Sequence, residues 1–213
     1  MDKRFAIFDM DGTLVDSMGY WKNLGREYLA KMGVTENVED ALRKTLMITL
    51  PEAAELFVNE FNLPVTAEEA NNEMFEIMAE HYRKDVPVKE GVTEYLKKLK
   101  RDGVKMCVAS NTGEALVDKC LTRLGIKQYF EFLLSCEEIG VGKSEPDVYI
   151  EAAKRLGGKP HETAVFEDAF FAARTAKNAG FYVVAIYDEP AKKKWDSLCG
   201  IADEVFPKGK WLC

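Results

Sequence analysis

Two acids stand one residue apart directly after the first apolar run of the chain, where Asp9-Met10-Asp11-Gly12-Thr13 follows Phe5-Ala6-Ile7-Phe8. Three further polar sets stand in the same relation to later apolar runs. Ser110-Asn111-Thr112-Gly113 follows the run 104–109, a loop reaching Lys143 follows 132–134, and Glu167-Asp168 follows 164–166. Acids at two run ends, a hydroxyl and an amide at a third, and a lysine at the fourth suit a divalent metal beside an oxyanion such as phosphate. Each set alone has a plainer use. An Asp-x-Asp-Gly stretch also opens a calcium loop, but that loop needs a glutamate at its twelfth position, which here is Tyr20. Ser110-Asn111 serves equally as a helix N-cap, Lys143 as a solvated lysine, and Glu167-Asp168 as the acidic start of a helix. The coincidence of all four sets outweighs those separate readings.

The apolar runs, with a fifth at 182–186, have the length of buried strands rather than helices. Helical spacing fills the intervals between the later ones. Val92, Tyr95, Leu96 and Leu99 recur at i, i+3, i+4, i+7 and stop at Gly103. Leu116, Val117, Cys120, Leu121 and Leu124 repeat the pattern up to Gly125. Tyr149, Ala152, Ala153 and Leu156 form a third helix, entered through Ser144 and Pro146 and closed by Gly157. Ala172, Ala173, Ala176 and Ala179 give a small-residue helix ending at Gly180. This alternation predicts an α/β fold, a doubly wound Rossmann-like parallel sheet with right-handed crossovers. Ligands of such sheets bind at the carboxyl ends of the strands, near the point where strand order reverses. Those ends are where the polar sets fall.

Residues 17–84 break the alternation and read as helical almost throughout. Trp21, Leu24, Tyr28 and Met32 make one stripe, and Ala54, Phe57, Val58 and Phe61 another. Thr66 with Glu69 is a capping-box pattern opening a third helix, with Ala70, Met74, Ile77 and Met78 on one face. The expected organisation is an α/β core domain over 1–16 and 85–213 with an inserted helical cap domain over 17–84. Its hinges are expected near 15–17 and 84–88. Helical spacing assigns Trp21 to the core of the insert, while Tyr20 is a candidate lining residue of the cleft. His81 reads as a packing or surface histidine.

The chain has 213 residues, of which 47% are hydrophobic and 31% charged, values that exclude a disordered or fibrous chain. Lys+Arg number 29 against 36 Asp+Glu, a net charge of −7, which argues against nucleic-acid or membrane-surface partners. A small phosphorylated molecule needs only a local positive pocket. The five cysteines (Cys107, Cys120, Cys136, Cys199 and Cys213) form no CxxC pair, and there are two histidines, so neither a disulfide framework nor a zinc site is expected. The N-terminus lacks a signal-peptide pattern and no apolar stretch has the length of a membrane span. The expected protein is a cytoplasmic monomer.

The run Phe8-Asp9-Met10-Asp11-Gly12-Thr13-Leu14-Val15-Asp16-Ser17 resembles the signature of the haloacid dehalogenase superfamily. More narrowly it resembles the helical-cap phosphatases and phosphomutases typified by β-phosphoglucomutase and phosphoglycolate phosphatase. Val108-Ala109-Ser110-Asn111, the segment Gly142-Lys143-Ser144-Glu145-Pro146-Asp147-Val148-Tyr149 and Phe166-Glu167-Asp168 match in the same order, so the resemblance spans nearly the whole chain. It implies Mg²⁺-dependent hydrolysis of a small phosphorylated metabolite, a phosphomonoester such as a sugar phosphate. Asp9 would be the nucleophile forming an aspartyl-phosphate, and Asp11 the general acid and then base. Mg²⁺ would be held by Asp9, the Asp11 carbonyl and Asp168, with Glu167 as a supporting or alternative ligand. Ser110, Asn111 and Lys143 would bind the phosphoryl group. Asp11 also argues against literal dehalogenation, since members that cleave carbon–halogen bonds generally lack this second acid.

Two stretches depart from the family pattern. Ala169 and Ala172 stand where Ser and Gly are common, which predicts altered packing rather than lost activity. The stretch Thr45-Leu46-Met47-Ile48-Thr49-Leu50-Pro51 is bulkier than the small residue usual there. Met47, Ile48 and Thr49 thus join Tyr20 as candidate specificity residues. A phosphomutase shares all the catalytic residues and is the alternative, but sugar-binding cap residues of a mutase are not recognisable. A non-enzymatic phospho-switch of the receiver type fits poorly, because the third run ends in Leu134-Ser135-Cys136 with no aspartate.

Overall fold

Phe5–Phe8, buried along its whole length, forms strand β1. A computed structural model describes residues 2–45, 48–209 and 211. After β1 come helices α1 (Met18–Lys31), α2 (Glu39–Lys44), α3 (Leu50–Phe61) and α4 (Ala67–Lys84). The alternating part then runs α5 (Val92–Arg101), β2 (Lys105–Ser110), α6 (Glu114–Arg123), β3 (Leu133–Ser135), α7 (Cys136–Ile139) and α8 (Asp147–Leu156). It continues with β4 (Thr163–Glu167), α9 (Phe170–Asn178), β5 (Tyr182–Ile186), α10 (Trp195–Ile201) and β6 (Glu204–Phe206). By internal contacts the chain separates into one unit of residues 1–17 and 86–213 and another of residues 18–85.

In the first unit, six strands pair in the order β3-β2-β1-β4-β5-β6, every neighbour parallel. Strand order reverses between β1 and β4, whose register sets Phe8 opposite Phe166 and therefore brings the two acid-bearing loops out side by side. Both faces are covered, as a parallel sheet requires. Phe5, Ile7 and Val165 pack with Val148, Ala152 and Leu156 of α8 and with Ala173 and Ala176 of α9. On the other face Phe8 stacks on Phe166 at 4.2 Å, and Tyr95 of α5 meets Phe166 edge-on at 5.9 Å. Trp211 lies at 6.1 Å from Phe166 and covers the same aromatic group. The short elements β6, α7 and α10 are absent from the expectations above. Each is too short to show a period in the residue pattern, and neighbouring chain rather than local spacing stabilises it.

The chain leaves and re-enters this unit along one ladder. Val15 bridges Val88 in antiparallel fashion, and Asp16 N–H donates to the Pro87 carbonyl at 3.0 Å.

The helical unit packs α4 against α1 and α3 around buried Leu24, Tyr28, Leu29, Phe57, Met74 and Met78. Gly25 of α1 lets Phe57 of α3 and Leu42 of α2 approach closely, since a Cβ there would stand 2.8 Å from the Phe57 ring and 2.9 Å from Leu42. The capping box at the start of α4 forms as its spacing predicts. Thr66 Oγ1 accepts from Glu69 N–H at 3.2 Å, and the Glu69 carboxylate accepts from Thr66 N–H at 2.7 Å.

Candidate active site

Asp9 is the first residue beyond β1, and its N–H donates to the Phe166 carbonyl at 3.0 Å, which continues the β1–β4 ladder into the loop. Gly12 then turns the chain at φ +81°, a left-handed conformation favourable only to residues like glycine. A Cβ at Gly12 would also stand 2.5 Å from Asp168 Oδ2, so the turn lies directly against the carboxylate delivered by β4. Thr13 Oγ1 donates to the same side chain, at Oδ1, over 3.1 Å.

Lys143 reaches this point from the loop after α7, and at 3% exposure its ammonium is enclosed. It forms an ion pair with Asp9 Oδ1 and another with Glu167 Oε1 at 2.6 Å. Tyr149 of α8 donates its hydroxyl to the same Glu167 oxygen at 2.7 Å. Asp9, Glu167 and Asp168, all buried, offer carboxylate oxygens within 4.8 Å of one another.

Burial is the main cause that drives the Asp9 carboxyl up to about 8. Lys143 opposes it, and the charges of Glu167 and Asp11 reinforce it. Asp168 is raised well above the carboxylate range, again chiefly by burial and then by the charges of Asp9 and Glu167. Lys143 is held strongly protonated because its two carboxylate partners outweigh its own burial. Three carboxylates thus face one ammonium, and the excess negative charge adds to burial in raising Asp9 and Asp168. An all-oxygen donor set with surplus negative charge fits a hard divalent cation.

Asp11 carries its side chain away from this triad into a hydroxyl clamp. Ser17 Oγ donates to Oδ1 at 2.5 Å and Thr112 Oγ1 to Oδ2 at 2.8 Å. Ser110, at the carboxyl end of β2, is buried, and its oxygen accepts from Thr112 N–H at 3.0 Å, leaving its own proton free to donate elsewhere. Asn111 is exposed beside it.

The structure therefore joins Asp9, Lys143, Glu167 and Asp168 directly, and links Asp11 to Ser110 through Thr112. The candidate specificity residues belong to the helical unit. There the Tyr20 ring lies 4.7 Å from His81, and Ile48 is 37% exposed. Thr49 caps α3, with its N–H and its hydroxyl both donating to Glu52 Oε2 at 2.7 Å, so that hydroxyl is already engaged. Met47 lies outside the described residues. Trp21 is half-buried and donates its indole N–H to Tyr82 at 2.9 Å, while His81 bridges Glu27 at 2.8 Å and Asp85 at 3.0 Å.

Sequence reasoning did not single out Tyr149, Thr112 or Ser17 as polar partners of the acids. Tyr149 showed as an apolar helix position and as the last residue of the matched segment 142–149, and Thr112 and Ser17 only as motif neighbours. A tyrosine on a helix face otherwise made of Val148, Ala152, Ala153 and Leu156 was a signal, since a buried phenol needs a partner.

Comparison with known proteins agrees with this geometry. A family model described as haloacid dehalogenase-like hydrolase matches residues 6–186. The bifunctional riboflavin kinase/FMN phosphatase of Arabidopsis thaliana is 32% identical over 94% of this chain, which spans about half (52%) of that protein's length. The phosphorylated carbohydrates phosphatase of Thermotoga maritima is 25% identical, covering 82% of this chain and 81% of the other. Among solved structures, CbbY from Rhodobacter sphaeroides in complex with phosphate superposes with a TM-score of 0.77 at 20% identity, over 99% of this chain and 96% of that one. Matched over most of its length, the chain belongs to the haloacid dehalogenase-like hydrolase family.

Proposed function

We propose that the protein is a Mg²⁺-dependent phosphatase that hydrolyses a small phosphomonoester, of the sugar-phosphate class, through an aspartyl-phosphate on Asp9. The observation that carries this reading is the buried cluster of Asp9, Lys143, Glu167 and Asp168, with Asp11 on the next turn of the same loop. The phosphatase names of the Arabidopsis and Thermotoga relatives support the reaction class, and the Thermotoga one supports the substrate class.

Lys143 binds Asp9 through Oδ1, which leaves Oδ2 as the attacking oxygen. That oxygen attacks phosphorus, the bond from phosphorus to the ester oxygen breaks, and Asp11 gives its proton to the departing alkoxide. Asp11, now a carboxylate, takes a proton from the water that attacks the aspartyl-phosphate. Inorganic phosphate leaves and Asp9 is restored. The clamp of Ser17 and Thr112 orients Asp11 for both transfers. Ser110 donates its free hydroxyl proton to a phosphoryl oxygen, Asn111 assists, and Lys143 offsets phosphoryl charge. Mg²⁺ would be held by Asp9, the Asp11 carbonyl and Asp168, supported by Glu167, and would reduce the repulsion between carboxylate and phosphoryl group. Residues 18–85 are read as the specificity cap, with Tyr20, Ile48 and Thr49 among its candidates. The reading extends to a cytoplasmic monomer.

The test is phosphate release from sugar phosphates, phosphoglycolate, nucleotides and flavin mononucleotide, with and without Mg²⁺, with Asp9→Asn as the blank. Metal-dependent release confined to the wild type is the expected result. Exchange between sugar-phosphate isomers without release would replace hydrolysis by the mutase reaction.

A further inference from the structure

Lys89 lies on the segment by which the chain returns to the α/β unit, and it ties together two separate stretches of that unit, 12–14 and 187–188. Its ammonium donates to the Gly12 carbonyl, to the Tyr187 carbonyl at 3.0 Å and to Asp188 Oδ1 at 2.7 Å. Three protons meet three acceptors, so the ammonium is fully used. Its backbone N–H donates to the Leu14 carbonyl at 3.0 Å. The pair is enclosed, with side-chain exposures of 13% for Lys89 and 2% for Asp188. Neither residue belongs to the four polar sets that follow the apolar runs.

Gly12 is thereby anchored on both sides. Its N–H donates to the Val15 carbonyl at 3.0 Å while Lys89 holds its carbonyl. In a trans peptide the N–H of Gly12 and the carbonyl of Asp11 point in opposite directions within one plane. Fixing Gly12 N–H therefore fixes the direction of the Asp11 carbonyl. The same turn lies against Asp168, as the 2.5 Å approach of a Gly12 Cβ to Asp168 Oδ2 shows. We propose that Lys89, braced by Asp188, is a positioning residue for the metal site. By holding the Gly12 turn, it keeps the Asp11 carbonyl and the Asp168 carboxylate in their mutual placement. This inference rests on the phosphatase reading above.

A staple serving stability alone would be built otherwise. Asp188 Oδ2 is buried with no hydrogen-bond partner among the described residues, so the pair leaves part of a carboxylate unsatisfied. Apolar residues of similar shape usually replace a buried ion pair without loss of stability, and often with a gain. What they cannot replace is the hydrogen bond to Gly12. The pairing also neutralises Lys89, which would otherwise set an unbalanced positive charge beside Asp168.

The full-length double variant Lys89→Met/Asp188→Leu separates the two roles. The readouts are the Mg²⁺ concentration for half-maximal phosphate release and, without substrate, that for half of the Mg²⁺-induced rise in Tm. The double variant should match or exceed the metal-free Tm of the wild type. It should need about tenfold more Mg²⁺ in both assays, the size expected for residues that orient metal ligands. The KM at saturating Mg²⁺ should stay within about twofold, as positioning of the metal rather than of substrate requires. Asp188→Asn keeps the side-chain shape and serves if the double variant does not fold. It leaves Lys89 charged and unpaired, and should also raise the Mg²⁺ requirement about tenfold. Wild-type Mg²⁺ dependence in a folded variant, in both assays, overturns the positioning role. A wild type whose Tm and turnover ignore Mg²⁺ would instead remove the phosphatase reading itself.

Discussion

The α/β unit encloses a cluster of charged groups beside its exposed ion pairs, whereas the ion pairs of the helical unit lie toward solvent. In the first, Lys143, Asp9, Glu167 and Asp168 are buried together at the sheet edge. In the second, the ion pairs Arg26–Glu39, Lys31–Glu73 and Lys44–Glu60 are solvent-exposed, and the interior is aliphatic, thioether and aromatic. Exposed pairs contribute under about 1 kcal/mol each, whereas enclosing a charge costs several kcal/mol that its partners only partly offset. The helical unit thus largely follows what stability favours, the buried Tyr28 hydroxyl without a hydrogen-bond partner among the described residues being an exception. The buried acids of the α/β unit do not, and their placement answers to the binding of charge. Removing polar groups should therefore cost activity in one unit, and removing apolar groups should cost stability in the other.

Asp9→Asn should give the largest separation. Turnover should fall by about 10⁴-fold or more, since the proposed nucleophile is lost. The metal-free Tm should hold or rise, because a neutral amide replaces a crowded carboxylate while Lys143 keeps Glu167. Phosphate-release kinetics and calorimetry check both halves, and near-wild-type turnover would remove Asp9 as nucleophile. Phe57→Ala should do the opposite. Emptying the ring's place beside Tyr28 and Gly25 should cost about 3–5 kcal/mol. Faster amide exchange should then be confined to α1, α3 and α4, and equal loss of protection in the sheet would contradict the separation.

An effect of similar or smaller size follows from Asp9 being raised to about 8, by burial first and then by Glu167 and Asp11 against the opposing Lys143. Through the window from an ordinary carboxylate pKa up to about 8, the folded protein holds a proton that the unfolded chain has released. Stability of the metal-free protein should therefore fall as pH rises from about 5 to about 8, by up to about 4 kcal/mol. Asp9→Asn should flatten that slope. Denaturant unfolding at several pH values gives the answer, and a rise in stability over that span would reverse the assignment. The smallest effect belongs to the helical unit. Thr66→Ala removes the acceptor for Glu69 N–H and should cost about 1 kcal/mol, with turnover unchanged at saturating substrate.

The site was legible in outline because a parallel sheet delivers the residues after each strand to one edge. A short apolar run that ends in acids is therefore visible before any tertiary contact is known. The capping box at Thr66 was legible for a similar reason, since its chemistry lies within four residues. His81 was less so. Its helical position allowed packing or exposure, and only the fold brings Glu27, a residue of α1, to 2.8 Å from its ring. Burial lowers the pKa of this histidine, yet its hydrogen bonds to the Glu27 and Asp85 carboxylates outweigh it and hold the ring's pKa above the usual value.

Residue order alone determined the alternation of strands and helices, the inserted helices, and which acids, hydroxyls and lysine reach the carboxyl edge. Local period and chain direction suffice for that. Tertiary structure alone decided how those groups are shared. It gave Glu167 to Lys143 and Tyr149, Asp11 to Ser17 and Thr112, and the Gly12 turn to Lys89 and Asp188. Among these partners, Thr112 and Asp11 lie 101 residues apart and Lys89 and Asp188 99 apart. Hydrogen bonds at such separation depend on strand order and helix docking, which no local spacing encodes.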